Sequence, residues 1–115
     1  MKVLLDENLD YRLAQSFPTG FDVYSAQWMG WSGMSNGDLL RSAAEDGFDV
    51  RIPADRNMSY QQPQPAMPVL VLEVGSTALR ELQECIPQIA REFAGPLEPG
   101  FYVVRQREHG RDFSR

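Results

Sequence analysis

Asp6, Glu7 and Asn8 follow directly on the apolar run Val3-Leu4-Leu5, and another acid, Asp55, follows the strand-like run Phe48-Asp49-Val50-Arg51-Ile52-Pro53. Acids so placed can do chemistry, because open α/β sheets present their ligands at the carboxyl ends of their strands. Two like charges a few ångströms apart also raise each other's pKa unless a cation relieves them. A divalent metal is therefore the expected companion of Asp6 and Glu7. A further acid, Asp38, has two readings. It is a metal ligand, or it belongs to a helix start in Ser35-Asn36-Gly37-Asp38, which has the spacing of a capping box. Capping is the plainer role for Asp6 and Asn8 as well.

Cys85 is the single cysteine and His109, in the tail, the single histidine. Carboxylates converging without sulfur or imidazole suit oxygen-preferring Mg²⁺ or Mn²⁺ rather than zinc. Such a metal activates water and neutralises charge on a phosphoryl group, which makes phosphodiester cleavage the natural reaction class. Arg56 and Asn57, next to Asp55, and Asn8, next to Asp6, are then the residues expected to touch nucleic acid.

The elements that must position these side chains follow from the pattern of apolar residues. Val3-Leu4-Leu5 suits a strand covered on both faces. Leu9, Leu13 and Phe17 give the stripe of a short helix, stopped by Pro18-Thr19-Gly20. Phe21 to Tyr24 reads as a second strand, and Ser25 to Ser35 as a loop whose Trp28 and Trp31 either pack over the sheet end or stack on bases. Leu39, Leu40, Ala43 and Ala44 mark a helix that ends at Gly47. Arg51 interrupts the third strand and Pro53 closes it, which predicts a sheet-edge position. Val69-Leu70-Val71-Leu72 reads as the central strand. Leu79, Leu82, Ile86, Ile89 and Phe93 form one helical stripe. Pro87 within it predicts a kink, or two helices with Pro87 in the first turn of the second. Phe101 to Val104 is a fifth strand.

Strands alternating with helices predict an α/β fold with a mainly parallel five-stranded sheet between helices. Right-handed crossovers would bring Asp6, Glu7, Asp55 and the start of the Asp38 helix to one sheet edge. At 115 residues the chain fits one domain, expected over 1–104, with an arginine-rich tail over 105–115. No apolar run reaches membrane-spanning length and the sequence starts directly with a strand, so the expectation is a cytoplasmic protein without a signal peptide. The net charge of −5 argues against indiscriminate nucleic-acid binding through a broad basic surface, while leaving room for a local basic rim. Cys85 lies in an apolar helical pattern, where a free cysteine serves packing.

Three segments together carry a resemblance: Met1-Lys-Val-Leu-Leu-Asp-Glu-Asn-Leu9, Ser35-Asn-Gly-Asp38, and Phe48-Asp-Val-Arg-Ile-Pro-Ala-Asp55-Arg-Asn57-Met58. The chain resembles the small PIN-like family related to VapC toxins. Its members open with a Leu-Leu-Asp-Glu-Asn strand end and carry a Thr-x-Asp-x-Asp or Thr-x-Asp-x-Asn turn after the third strand. The resemblance covers residues 1–94. It implies a three-layer α/β/α fold with strand order 3-2-1-4-5, and a Mg²⁺- or Mn²⁺-dependent endoribonuclease. Asp6, Asp38 and Asp55 would be its metal ligands, and Asp6, Asp55 and Glu7 its catalytic acids. It also implies RNA as substrate and, for a toxin, an antitoxin protein as partner; a homodimer is the other partnership expected.

The sequence departs from that family at Pro53, where many relatives have Thr or Ser, and at Arg51, which replaces an apolar residue. It departs again at Asn57, where an acid is common, and at Asp10, where many have Pro. A site with fewer anionic ligands holds a cation less well, so a catalytically degenerate PIN-like binding module is the alternative. A receiver-like phosphoacceptor domain, with Asp55 taking the phosphoryl group, is a second alternative. Against it, the chain has no lysine beyond Lys2.

Overall fold

Strands form where the chain runs apolar. In the computed structural model, which describes residues 1–54, 65–74, 78–93 and 95–105, these are β1 (Lys2–Leu5), β2 (Asp22–Ser25), β3 (Val50–Ile52), β4 (Pro68–Glu73) and β5 (Gly100–Arg105). All neighbours pair in parallel, in the order β2-β1-β3-β4-β5. The α/β fold with a parallel sheet is therefore as expected, but the order 3-2-1-4-5 is not. β3 lies at the centre of the sheet, between β1 and β4, and not at its edge. Arg51 can sit in a central strand because it has an ionic partner at the end of β1, described below. Pro53 is tolerated because it stands just past the last residue of β3. The observed order is the flavodoxin-like one of doubly wound sheets.

The helical segments obey local rules. Asp10 accepts the Arg12 N–H and opens a 3-10 turn over Tyr11–Ser16, where the sequence predicts a short helix. The Ser35 hydroxyl accepts the Asp38 N–H and starts α1 (Asn36–Glu45), so Ser35 is the N-cap, while the Asp38 carboxylate pairs with Arg41. The long apolar stripe near the end divides into α2 (Leu79–Gln83) and α3 (Ile86–Glu92). Pro87 falls in the first turn of α3, where its missing N–H costs nothing.

Strand alternation divides the core in two. Val3, Leu5, Val50, Ile52, Leu70 and Leu72 pack with Leu13 and with Leu82, Cys85, Ile86 and Ile89 of the α2–α3 segment. Leu4, Val69 and Val71, on the opposite face, pack with Leu39, Leu40 and Ala43 of α1 and with Phe48. Each Val or Leu so buried contributes roughly 1.5–3 kcal/mol. The connections β1→β2 and β4→β5 pack on the same face yet step toward opposite edges of the sheet. Those two crossovers consequently differ in hand, which departs from the uniformly right-handed expectation. The carboxyl edge needs only parallel strands, however, and Asp6 stands at it. Among the described residues no helix is long and apolar enough to cross a membrane.

Candidate functional site

Asp6 is the first residue beyond β1. Its N–H donates to the Ile52 carbonyl of β3 at 3.0 Å, and its own carbonyl accepts from Leu9 N–H at 3.0 Å. The carboxylate then folds back to accept the Asn8 N–H on Oδ1 at 2.8 Å. This is the local turn that an Asp makes with the backbone two residues on. The other oxygen, Oδ2, accepts from Arg51 Nη2 at 2.9 Å.

Arg51 is the central fact of this edge. It pairs in register with Leu4 on one side and Val69 on the other, so its side chain leaves the sheet on the α1 face and reaches up to the carboxyl edge. Only 3 % of it is exposed, and it is the one buried charged residue among those described. Nη1 makes a long 3.3 Å contact with Asn36 Oδ1 at the start of α1, and Nε has no acceptor. Burial lowers the pKa of this guanidinium, and the Asp6 carboxylate opposes that shift. An arginine stays protonated in either case. The buried pair thus sets a guanidinium directly against the Asp6 side chain.

Glu7 stands on the same edge. Its Oε1 accepts the Gly33 N–H at 3.1 Å and ties the end of β1 to the loop after β2. Gly33 has φ +85°, a conformation that favours glycine. Asp6, Glu7, Asn8, Asn36 and Arg51 together line a cleft of about 220 Å³, closed on its apolar side by Trp31 and its neighbours.

The expected site is therefore assembled in part. Asp6, Glu7 and Asn8 meet in one cleft. Asp38 is not among its lining residues and forms an exposed ion pair with Arg41 one turn along α1. Asp55, Arg56 and Asn57 lie outside the described residues. Arg51 and Asn36 belong to the site and were not expected there. The signal for Arg51 was available: a single cation between Val50 and Ile52 needs a buried counter-charge, and an acid stands at the end of another strand.

The Asp6 carboxylate is shared between the Asn8 N–H and a guanidinium 2.9 Å away, and among the described residues no three metal-ligating side chains converge. What the cleft offers is a pair of acids, two amides and one buried cation beside an apolar wall.

The loop between β2 and α1 separates its two tryptophans. Trp31 packs edge-on against Phe48 at 5.9 Å between ring centres and belongs to the core on the α1 face. Trp28 is 74 % exposed. No protein-family model, no curated protein and no solved structure matches the chain.

Proposed function

We propose that this chain is a PIN-like α/β domain, with helices in layers on both faces of its sheet, that binds RNA at the carboxyl edge without cutting it. The observation that supports this reading is the buried Arg51–Asp6 pair. A guanidinium neutralises the leading acid where a nuclease of this kind would place Mg²⁺ or Mn²⁺. A fixed cation at the carboxylate repels a second one. Asn8 and Asn36 line the same cleft and would offer amide contacts to an unpaired strand.

A second reading keeps the chemistry: a Mg²⁺- or Mn²⁺-dependent endoribonuclease, the toxin of a toxin–antitoxin pair, with Asp6, Asp55, Asp38 and Glu7 as its acids. It draws on the hydrogen bond from Asp6 N–H to Ile52, which ties the first acid to the strand that leads into Asp55. In that reading Arg51 must withdraw from Asp6, and an antitoxin or a second copy of the chain would cover the edge in the cytoplasm. The strand order is also that of receiver domains, but order alone is a weak argument for function. The missing lysine and the engaged Asp6 count against phosphoryl acceptance.

The discriminating experiment is calorimetric titration of the wild type with Mn²⁺, followed in the same samples by incubation with a mixed RNA pool. The expected result is no saturable Mn²⁺ binding and intact RNA that is nonetheless retained by the protein. Saturable binding accompanied by cleavage would replace this reading with the nuclease.

A further inference from the structure

β2 is an outer strand of the sheet: it pairs with β1 on one side, and among the described residues no strand pairs with the other. Asp22 N–H donates to the Met1 carbonyl and Ala26 N–H to the Leu5 carbonyl, both toward β1. Alternation along the strand therefore turns Val23 N–H, Val23 C=O and Ser25 N–H outward. The Ser25 carbonyl is taken by Met29 N–H at 3.1 Å, where the chain leaves the strand. Such an edge is a template for another extended chain, and β2 carries no proline or lysine to blunt it.

A groove of about 300 Å³ runs along this edge. Val23, Tyr24 and Ser25, three residues in a row, line it together with Leu5, Tyr11 and Trp28. Neighbouring side chains of a strand point to opposite faces, so a groove that touches all three follows the edge itself. Beside it stand the two most exposed large apolar side chains among those described, Tyr11 at 68 % and Trp28 at 74 %. Tyr11 belongs to the 3-10 turn that packs on the α2–α3 face. Trp28 is held by its backbone N–H on the Ser25 hydroxyl at 3.0 Å and lies 5.6 Å from the ring of Tyr24, which packs on the α1 face. An extended segment added to β2 would set alternate side chains against one aromatic and then the other.

Both ends of the edge are acidic. Asp22, exposed, opens β2, and Glu7, also exposed, stands two residues beyond Leu5 at the other end. Arg12, next to Tyr11, is held on Asp10 at 2.7 Å and adds no net charge. The chain as a whole carries −5, so a second copy would bring like charge to the edge. The complementary occupant is a segment of a different protein, apolar at its centre and basic at its ends.

We propose that the outer edge of β2 binds an extended segment of a partner protein by strand addition. Apolar side chains of that segment pack on Tyr11 and Trp28, and Lys or Arg at its ends face Asp22 and Glu7. The proposal goes beyond the RNA-binding reading and does not depend on it.

The probe is a phage-displayed library of random heptapeptides, selected on the immobilised wild type, with the strongest binder then synthesised and labelled for fluorescence anisotropy. The expected binder has β-branched or aromatic residues at its centre and Lys or Arg at its ends. Trp28→Ala weakens it by about tenfold, the effect of truncating an aromatic anchor. Methylating its backbone nitrogens one at a time weakens binding by roughly two- to tenfold at every second position, the worth of one hydrogen bond to β2. Val23→Pro removes an outward N–H and leaves the pairing with β1 intact, so it abolishes binding while the circular dichroism spectrum is kept. Hydrogen exchange at the Val23 and Ser25 amides of the wild type slows when the peptide is added.

No enriched sequence, or one with acidic ends, would overturn the proposal. So would a binder indifferent both to Trp28→Ala and to methylation. A single-stranded RNA that displaces the peptide and is itself lost on Trp28→Ala would overturn it in favour of a nucleic-acid occupant. A wild-type dimer, seen by light scattering and dissociated by Val23→Pro, would overturn it in favour of a second copy.

Discussion

Arg51 Nη2 lies 2.9 Å from Asp6 Oδ2, with the arginine side chain 3 % exposed and the aspartate 15 %. A buried pair is worth little against well-packed apolar residues, yet breaking it from one side strands a charge at a cost of about 3–5 kcal/mol. Asp6→Asn is accordingly expected to destabilise the fold by about 3 kcal/mol in urea unfolding. The double variant Asp6→Leu/Arg51→Met should recover most of that loss. A single variant as stable as the wild type would mean that Arg51 finds another counter-charge. Asp6→Asn is thus a poor probe of catalysis on its own, because lost activity and lost structure would coincide.

The complementary variant is Arg51→Met. It leaves Asp6 without its cation but with access to water, and restores an apolar residue to a strand whose neighbours Val50 and Ile52 are buried. Saturable Mn²⁺ binding, absent from the wild type, is expected to appear in calorimetric titration of the variant. Binding still absent from the variant would show that the arginine does not stand in for a metal.

Asp38 and Ser35 separate capping from ligation. The Ser35 hydroxyl holds the Asp38 N–H at 3.2 Å, so Ser35→Ala should cost about 1 kcal/mol, the usual worth of a lost N-cap. Asp38→Asn removes only an exposed ion pair with Arg41 and should change stability by less than about 1 kcal/mol. Thermal denaturation of the two variants side by side checks the order; the reverse order would return Asp38 to the candidate ligands.

Cys85 provides a pH dependence. Burial pushes its thiol up to about 11, with Glu84 and Glu81 adding to the effect. In the unfolded chain a thiol titrates near roughly 8.5, so between these values the folded state holds a proton that the unfolded state has lost. The contribution to stability is fully present below the lower value and disappears as the pH rises toward the upper one. Urea midpoints should therefore fall across that window, and fall less in Cys85→Ala. Thiol-reactive probes should label native Cys85 far more slowly than unfolded chain at neutral pH. Equal labelling would contradict its burial.

Much of this architecture is legible in the sequence because it depends on near neighbours. The apolar runs at Val3 and Val69 became β1 and β4. Ser35 capped α1, and Pro87 divided the last helical stripe at its first turn. Strand order was not legible. It is decided by which strand lies beside β1, and Arg51 argued for an edge when taken alone. Only its pairing with Asp6, 45 residues away, makes a central position tolerable. The tryptophan loop shows the same boundary between local and distant information. Packing and stacking were both open for Trp28 and Trp31, and the difference lies in Phe48, which gives Trp31 a partner across the chain. The acid at Asp6 was placed correctly at the carboxyl edge, but its chemistry depended on a cation from another strand.

Lys2 is the only lysine in the chain. It sits at the amino end of β1, with Nζ held by Asp46 at 3.1 Å and 4.4 Å from the centre of the Phe48 ring. The sheet thus has one side-chain amine, on the side opposite the cleft. Amine-directed coupling through Lys2, or through the Met1 amino group next to it, attaches the protein to a surface or a dye by the amino end of β1, with the acids and the cleft facing solution. Salt bridge and ring contact both slow that coupling, so its rate reports on the closure of the amino side while ligands are offered to the other.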